Sequence, residues 1–324
     1  MHPIYYAALP VLAFMFTLGL MPFLIHKLRA KGYKGKDMYK PNKPEIADFG
    51  GMGIFAGTII TISVLATFDT IFDVYLLIPL FVITAFFGFG LFDDLLGVSG
   101  KKFSGIRKAI MVLFPFPLAL PVILLSPPEV YLPFDISFSL GLLLIIVAPL
   151  YVVVVANLVN IFSNFNGQSA GNVFLCFLFI IAKCLLVQRF ETLPLTLILT
   201  GSVLGFLVFN WYPARVFPGN CGDYMMGAAV GVLIVVNGFY SFGFVMLIPM
   251  TLHFLLSVYW LNFKKDKYPH QKFGEVRKDG TLKVPHPYYL SWLFPYFFRL
   301  KEEQVTLITM VLTAGFGVLA LAFF

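Results

Sequence analysis

Residues 138–159 read FSLGLLLIIVAPLYVVVVANLV, 22 positions without one charged side chain. Roughly 20 apolar residues are what a helix needs to cross the hydrocarbon core of a bilayer, whereas a buried helix of a soluble domain is usually shorter. This run therefore decides the fold class, an all-α integral membrane protein, and the rest of the chain repeats it. Comparable apolar runs lie near 5–26, 52–69, 74–92, 109–126, 169–188, 193–210, 225–242, 243–262 and 304–324. With 138–159 they predict a bundle of about ten transmembrane helices, the boundary at 242/243 being the weakest. Composition agrees: of 324 residues 59% are hydrophobic and 12% charged, where a soluble domain carries roughly a quarter charged residues.

The first run has no charged region ahead of it and no small-residue cleavage site after it, so it reads as a retained helix. Cys176, Cys184 and Cys221 are unevenly spaced, which suggests neither a disulfide framework nor a zinc site. The basic residues fix an orientation. Connections 27–51, 93–108, 211–224 and 263–303 hold twenty-one of the 23 Lys and Arg, while the opposite side holds only Arg189. Lys and Arg are retained on the cytoplasmic side, so both termini are expected outside and the basic connections inside. Most of the net charge of +7 is topology; the remainder can attract anionic headgroups or an anionic substrate. Nucleic acid is excluded as a partner, because Gly and Pro interrupt the basic loops and no recognition module is evident. No internal repeat or low-complexity linker appears, so 1–324 reads as one transmembrane domain with 263–303 as a cytoplasmic loop or cap.

Chemically capable residues gather at the inner connections. LFDDLLG places Asp93 and Asp94 at a helix end, where adjacent carboxylates repel each other and call for a cation. Oxygen ligands of this kind suit Mg²⁺ or Mn²⁺; the plainer reading is a solvated helix end or a pair of caps. NLVNIFSNFNGQSAG holds Asn157 and Asn160 on one helix face, then Asn164 and Asn166 in the turn that Gly167 permits. Amides can ligate a metal or pair with a nucleobase, and they can equally cap helix ends. In KKFSGIRK, Lys108 starts a predicted span and can meet a phosphate as a point charge. FNWYPARVFPGNCGDY makes a structured turn from Pro213, Pro218, Gly219 and Gly222, in which Arg215, Asn220 and Asp223 can face one ligand; a helix starting near Asp223 would add anion-binding N–H groups. His270, Arg277 and His286 lie in the last connection with no partner at a metal-binding spacing. His253, inside an apolar run, reads as a packed core residue.

GKDMYKPNKPEIADFGGMG, LFDDLLG, NLVNIFSNFNG and NWYPARVFPGN, in this order from about residue 36 to 290, resemble the polyprenyl-phosphate N-acetylhexosamine-1-phosphate transferases. The pattern is nearest to the archaeal and eukaryotic UDP-N-acetylglucosamine–dolichyl-phosphate enzymes. The resemblance implies a ten-helix fold with a cytoplasmic site. It also implies Mg²⁺-dependent transfer of a sugar 1-phosphate from a UDP-amino sugar to a polyprenyl phosphate, with UMP released. By position Asp93 and Asp94 match the family's acidic pair, and Lys108 matches the basic residue that meets substrate phosphates. Asn157 and Asn160 match the asparagines at the metal and nucleotide site, and Asn166 and Gly167 the turn contacting uridine. Glu45 aligns with an acidic residue of the first loop, His270 with a histidine over the sugar nucleotide, and Arg277 is one of two basic candidates near it.

Three departures stand out. Asn220 occupies the position where most members have a metal-binding Asp, and Asp223 lies three residues on, so the expected metal set is Asn160 with Asn220 or Asp223. Gln168 and Ser169 replace a Leu-Glu pair of the eukaryotic enzymes. The histidine run of the muramoyl-pentapeptide branch is absent, which argues against a peptidoglycan substrate. Two other readings stay open at this point: a member that binds nucleotide or lipid phosphate with weak turnover, and a transporter or flippase, which would carry charge nearer the midplane. The membrane is expected to be the cell membrane of an archaeon or other prokaryote, or the endoplasmic reticulum if the chain is eukaryotic. Oligomeric state is open, a homodimer among the options.

Overall fold

The computed structural model describes residues 3–67, 73–98, 114–134, 136–264 and 273–324. Helices dominate it: α1 (Pro3–Ala30), α2 (Gly51–Ala66), α3 (Val74–Val98), α4 (Phe116–Ala119), α5 (Leu144–Ile161), α6 (Gln168–Leu186), α7 (Leu193–Asn210), α8 (Gly219–Val236), α9 (Tyr240–Met246), α10 (Ile248–Phe263), α11 (Leu290–Phe297) and α12 (Glu302–Phe323). Among the described residues seven helices are long and apolar enough to cross a membrane, and α9 with α10, bent by 64°, makes an eighth if the pair is one span. The expected span 52–69 is the 16-residue α2, which rises about 24 Å, short of a hydrocarbon core of about 30 Å. The expected span 109–126 falls partly outside the described residues.

Two boundaries differ from the sequence reading. The helix expected over 225–242 begins at Gly219 and stops at Val236. Its start is set by polar groups that hydropathy does not weigh, namely N–H groups of its first turn bonded to a carboxylate of α3. Its end is set by Asn237, which bonds back to Leu233 and across to Thr192. The helix break expected at 242/243 therefore falls inside α9 and the real one is at Leu247.

α7 and α8 form the centre. Their apolar windows are 78% and 89% buried inside the protein, against 28% for α1 and 33% for α12, so the latter two face the lipid. Small residues let the central helices meet closely, as is common where helices associate in a bilayer. A Cβ on Gly201 of α7 would sit 2.1 Å from the carbonyl oxygen of Pro10 in α1, and one on Gly227 of α8 would sit 2.6 Å from Cα of Ala156 in α5. Side chains such as Phe23, Phe81 and Val311 project outward, exposed.

Short hairpins join the helix ends: β1 (Lys34–Lys36) with β2 (Glu45–Ala47), β3 (Glu129–Tyr131) with β4 (Ser137–Ser139), and β5 (Glu275–Val276) with β6 (Leu282–Lys283). The first is stitched to the segment ahead of α8. Phe217 donates its N–H to Ala47 O at 2.9 Å, and Gly50 and Gly51 donate to Phe217 O and Pro218 O, each at 2.8 Å. The third hairpin and α11 pack Leu282, Val284 and Trp292 against Tyr39, Phe165 and Val305. Segments distant in sequence thus close around one end of α8.

Candidate active site

At that end lies a cavity of about 660 Å³, within the range of small-molecule sites. Asp94 of α3 organises its floor. One carboxylate oxygen accepts the N–H of Asn220 at 2.9 Å and the other that of Cys221 at 2.9 Å, so a buried side chain from a neighbouring helix caps α8 and its charge meets the positive end of the helix. Gly219, at φ 69°, makes the tight entry. A Cβ there would lie 2.9 Å from the Asp94 carboxylate, so only glycine leaves room for the cap.

Asp93 reaches the same place from the other side. It accepts Asn220 Nδ2 at 2.9 Å, and Asn220 Oδ1 in turn accepts Asn160 Nδ2 at 2.8 Å. The chain of amides has one polarity. An ionised carboxylate only accepts, so Asn220 must show it nitrogen and turn its oxygen toward Asn160. One turn further along α8, Asp223 is buried, with the Ser163 and Ser169 hydroxyls as partners. Its Oδ1 has no partner, an expensive state for a buried carboxylate.

The turn expected at the end of the fifth run is present. Gly167 has φ 71° and precedes α6, with the Trp211 ring packed where its Cβ would be. Asn166 is tied by its backbone and its side-chain oxygen: its N–H donates to Glu302 Oε1 at 2.8 Å, and Oδ1 accepts from Lys40 Nζ at 3.0 Å and Ala214 N at 2.9 Å. Among the described lining residues five bear carboxyl groups, Asp37, Asp48, Asp94, Asp223 and Glu302, against one amine, Lys36. Burial pushes the Asp48 carboxyl above the usual range, opposed by the Phe49 N–H that bonds it. Burial also pushes the Tyr39 phenol up to about 12, so it stays neutral in the wall.

The structure thus brings Asp93, Asp94, Asn160, Asn166, Gly167, Asn220 and Asp223 together, and leaves four other candidates outside the cavity wall. Glu45 is an exposed member of the first hairpin, 3.7 Å from Lys34 across the strand pair. Arg215 lies exposed over the Phe209 ring. Arg277 is spent inside the third hairpin, on Leu282 O and Thr281 Oγ1. Asn157 is buried and bonds back to Val153 O at 2.8 Å in its own helix. Lys108 and His270 lie outside the described residues.

Other residues that the sequence reading does not single out also reach the site. Asp37 and Asp48 of the first loop and Glu302 of α12 face the cavity, Asp48 three positions after Glu45, while Lys40 lies behind the wall, bonded to Asn166. Asp37, Lys40 and Glu302 look, in sequence, like topology charges and a helix-start acid. His253 is both core and wall: it accepts from Asn164 Nδ2 at 3.2 Å, lies 3.3 Å from Ser291 Oγ, and stacks on Tyr289. Because Asn164 Nδ2 also donates to the carbonyl of Ile161, its nitrogen is the atom facing the ring, and the His253 proton sits on Nδ1 toward Ser291.

The model of glycosyl transferase family 4 matches residues 76–238, which span the acidic pair, the asparagine turn and the α8 entry. The chain belongs to that family. A relative from Saccharolobus solfataricus, provisionally named a UDP-N-acetylglucosamine–dolichyl-phosphate N-acetylglucosaminephosphotransferase, is 30% identical over 96% of this chain and 95% of its own length. One from Sulfolobus acidocaldarius with the same provisional name is 27% identical over 97% and 94%. A phospho-N-acetylmuramoyl-pentapeptide-transferase from Acetivibrio thermocellus is 30% identical over 71% and 76%. The family 4 match covers Asp93, Asp94, Asn160, Asn166, Gly167, Asn220 and Asp223, the candidates that gather at one end of α8.

Proposed function

We propose that this chain transfers N-acetylhexosamine 1-phosphate, GlcNAc-1-phosphate first among them, from a UDP-sugar to a polyprenyl or dolichyl phosphate and releases UMP, starting a lipid-linked glycan. The names of the relatives support the reaction class. The observation that carries the reading is the unpartnered, buried Oδ1 of Asp223 in a carboxylate-lined cavity. A pyrophosphate cannot enter so acidic a space alone; a divalent cation resolves both problems.

The donors present fit Mg²⁺ or Mn²⁺, which use one or two carboxylates and complete their shell with water and substrate oxygens. Asp223 would supply the carboxylate and Asn160 an amide oxygen, Asn220 would offer the second lone pair of the oxygen that accepts from Asn160, and Asp93 lies beside them. When bound, the ion would neutralise the pyrophosphate and the charge that develops during transfer. Asp94 gives one bond from each oxygen to α8 and so fixes the helix end on which Asn220 and Asp223 ride. A lipid phosphate with a second pKa near 6 is already largely ionised, so it attacks the β-phosphorus directly. A new P–O bond forms, the bond from the β-phosphorus to the bridging oxygen breaks, and UMP leaves with that oxygen and its electron pair. Phe273 and Tyr289, from the 263–303 segment, line the cavity as parts of a cap. Most lining segments belong to the basic connections, the asparagine turn alone carrying no Lys or Arg, which supports a cytoplasmic site, and the archaeal relatives support the cell membrane of an archaeon.

The test is direct. Purified protein with Mg²⁺, labelled UDP-N-acetylglucosamine and a polyprenyl phosphate is expected to give labelled lipid and UMP, and chelation to stop both. Absence of both products across several UDP-amino sugars overturns the reading.

A further inference from the structure

Arg215 belongs to the turn that leads into α8, yet it stands outside the cavity wall. Its side chain is exposed, with the guanidinium carbon 4.4 Å from the centroid of the Phe209 ring and Nη2 donating to Val208 O at 3.4 Å. A second guanidinium reaches the same place from α1. Arg29, also exposed, donates from Nη2 to Arg215 O at 3.4 Å. Like charges gathered in one place repel, and among the described residues no carboxylate pairs with either arginine. Glu45, the exposed acid of the first hairpin, is taken by Lys34. A guanidinium has five N–H donors in a planar fork, so most of both forks is open to an anion.

The surroundings say which anion. Ala30 ends α1 and Asn210 ends α7, so the pair sits where two packed apolar spans terminate. The two helices touch through backbone, a Cβ on Gly205 of α7 lying 2.8 Å from Phe14 O of α1. Below the arginines α7 exposes Leu204 and Val208, and α1 exposes Phe23, over which Lys27 Nζ lies 4.4 Å from the ring centroid. The result is an outward apolar strip topped by cations. Topology alone asks only for positive charge at this boundary. It does not ask for a guanidinium seated on a ring with its edge free, which is the geometry that takes two phosphate oxygens at once.

We propose that Arg29 and Arg215 form a binding site for the phosphate headgroup of an anionic phospholipid, in the leaflet that the basic connections mark as cytoplasmic, with its acyl chains along the exposed strip of α1 and α7. The site stands clear of the cavity, so it does not rest on the transferase reading.

Native mass spectrometry of the purified full chain with added phosphatidylglycerol, or with zwitterionic phosphatidylcholine, tests it. The parent is expected to retain phosphatidylglycerol in preference. Arg29→Gln with Arg215→Gln is expected to lower that affinity on the order of tenfold, and Arg29→Lys with Arg215→Lys, which keeps the charge and loses the fork, to lower it nearly as far. Lys278→Gln with Lys283→Gln removes two exposed charges of the third hairpin and leaves it unchanged. Equal retention of the two lipids by the parent, parent-like binding in either arginine variant, or an equal loss in the hairpin variant overturns the site. A larger loss of polyprenyl phosphate than of phosphatidylglycerol in the glutamine variant gives the pair to the acceptor lipid, and full displacement by inorganic phosphate makes it a site for the free ion; either result overturns the assignment. Photoactivatable phosphatidylglycerol cross-linked to the parent needs no variant: labelled peptides from 18–30 and 204–216 support the site, and labelling confined to other surfaces overturns it.

Discussion

Asn220→Asp changes one atom type at the centre of the amide chain. Asn220 Nδ2 lies 2.9 Å from Asp93 Oδ2, so an ionised Asp at 220 would put two negative oxygens at that distance. At an effective dielectric near 20 the repulsion is roughly 6 kcal/mol; both residues are half-buried rather than buried, and solvent screening reduces that to about 2 kcal/mol. A hydrogen bond to a charged group, about 1.5–3 kcal/mol, is lost as well. The Asn160 amide still donates, and a carboxylate at the first turn of α8 gains roughly 0.5 kcal/mol from the helix end. The balance is about 3 kcal/mol of destabilisation in chelator. A divalent cation would reverse the sign, because Asp93 and the new carboxylate would both be free to hold it and bound ligand stabilises by RT ln(1 + [L]/Kd). Thermal unfolding in detergent, with chelator and across a Mg²⁺ titration, reads both effects. The variant is expected to unfold several degrees below the parent without metal and to gain more from Mg²⁺ than the parent does. Equal unfolding midpoints in chelator, with no greater Mg²⁺ response, would refute the geometry from which the magnitude is worked. Turnover of the same variant decides the second matter: a large gain marks the parent as a weakly active member, and little change or a loss marks Asn220 as a working neutral group.

Asp223→Asn removes a buried charge whose Oδ1 has no partner, while the Ser163 and Ser169 hydroxyls can still bond the amide. Its unfolding midpoint in chelator is expected to equal or exceed the parent's and its Mg²⁺ stabilisation to vanish; a retained Mg²⁺ response places the cation elsewhere. Gly167→Ala forces a methyl into φ 71° and within 2.9 Å of the Trp211 ring, a strain of about 1–3 kcal/mol, and initial-rate measurements are expected to show lower kcat/KM. Asp48→Asn keeps an acceptor for the Phe49 N–H and removes a carboxyl whose folded pKa burial raises. The parent is expected to lose stability as pH rises through that raised value, and the variant to lose less, in unfolding midpoints compared from about pH 4 to about pH 8.

Hydropathy carried the fold because a bilayer imposes one length on every crossing helix. It failed at the ends of α8, where Asp94 and Asn237 set the start and stop through bonds to neighbouring helices. The site was legible where a residue is unusual for its surroundings: two carboxylates at an apolar helix end, four asparagines in ten positions, a Pro-Gly-Asn turn. Lys40 and Asp37 carry the same information as any charges of a basic connection, and only the fold reveals that α12 brings Glu302 to them. Glu45 and Asp48 illustrate the strand rule, since β2 ends at Ala47 and only the acid beyond the strand turns into the cavity. His253 reads from sequence as a core residue, and only the fold shows that it also lines the cavity, because a histidine in an oily run looks alike whether it faces packing or a ligand.

Along the chain, two departures from the family pattern look independent, Gln168-Ser169 after the asparagine turn and Asn220 with Asp223 in α8. In space they are one change. The Ser169 hydroxyl meets the Asp223 carboxylate, and Ser163 joins it, while Gln168 donates to Ser291 Oγ at 2.9 Å and so ties the turn to the cap. A carboxylate at 220 would stand beside Asp93; at 223 it stands one turn deeper, where two hydroxyls hold one oxygen and the other is without a partner. On the proposed function the charge is not deleted from the wall of the site but displaced by about one turn of α8, about 5 Å along its axis. Exchanging the two residues, Asn220→Asp with Asp223→Asn, should therefore return the Mg²⁺ response that Asp223→Asn alone loses, while the amide placed at 223 keeps the two serine partners. If the exchanged protein shows no Mg²⁺ stabilisation, a carboxylate at 220 does not reach the same cation and the displacement argument is wrong.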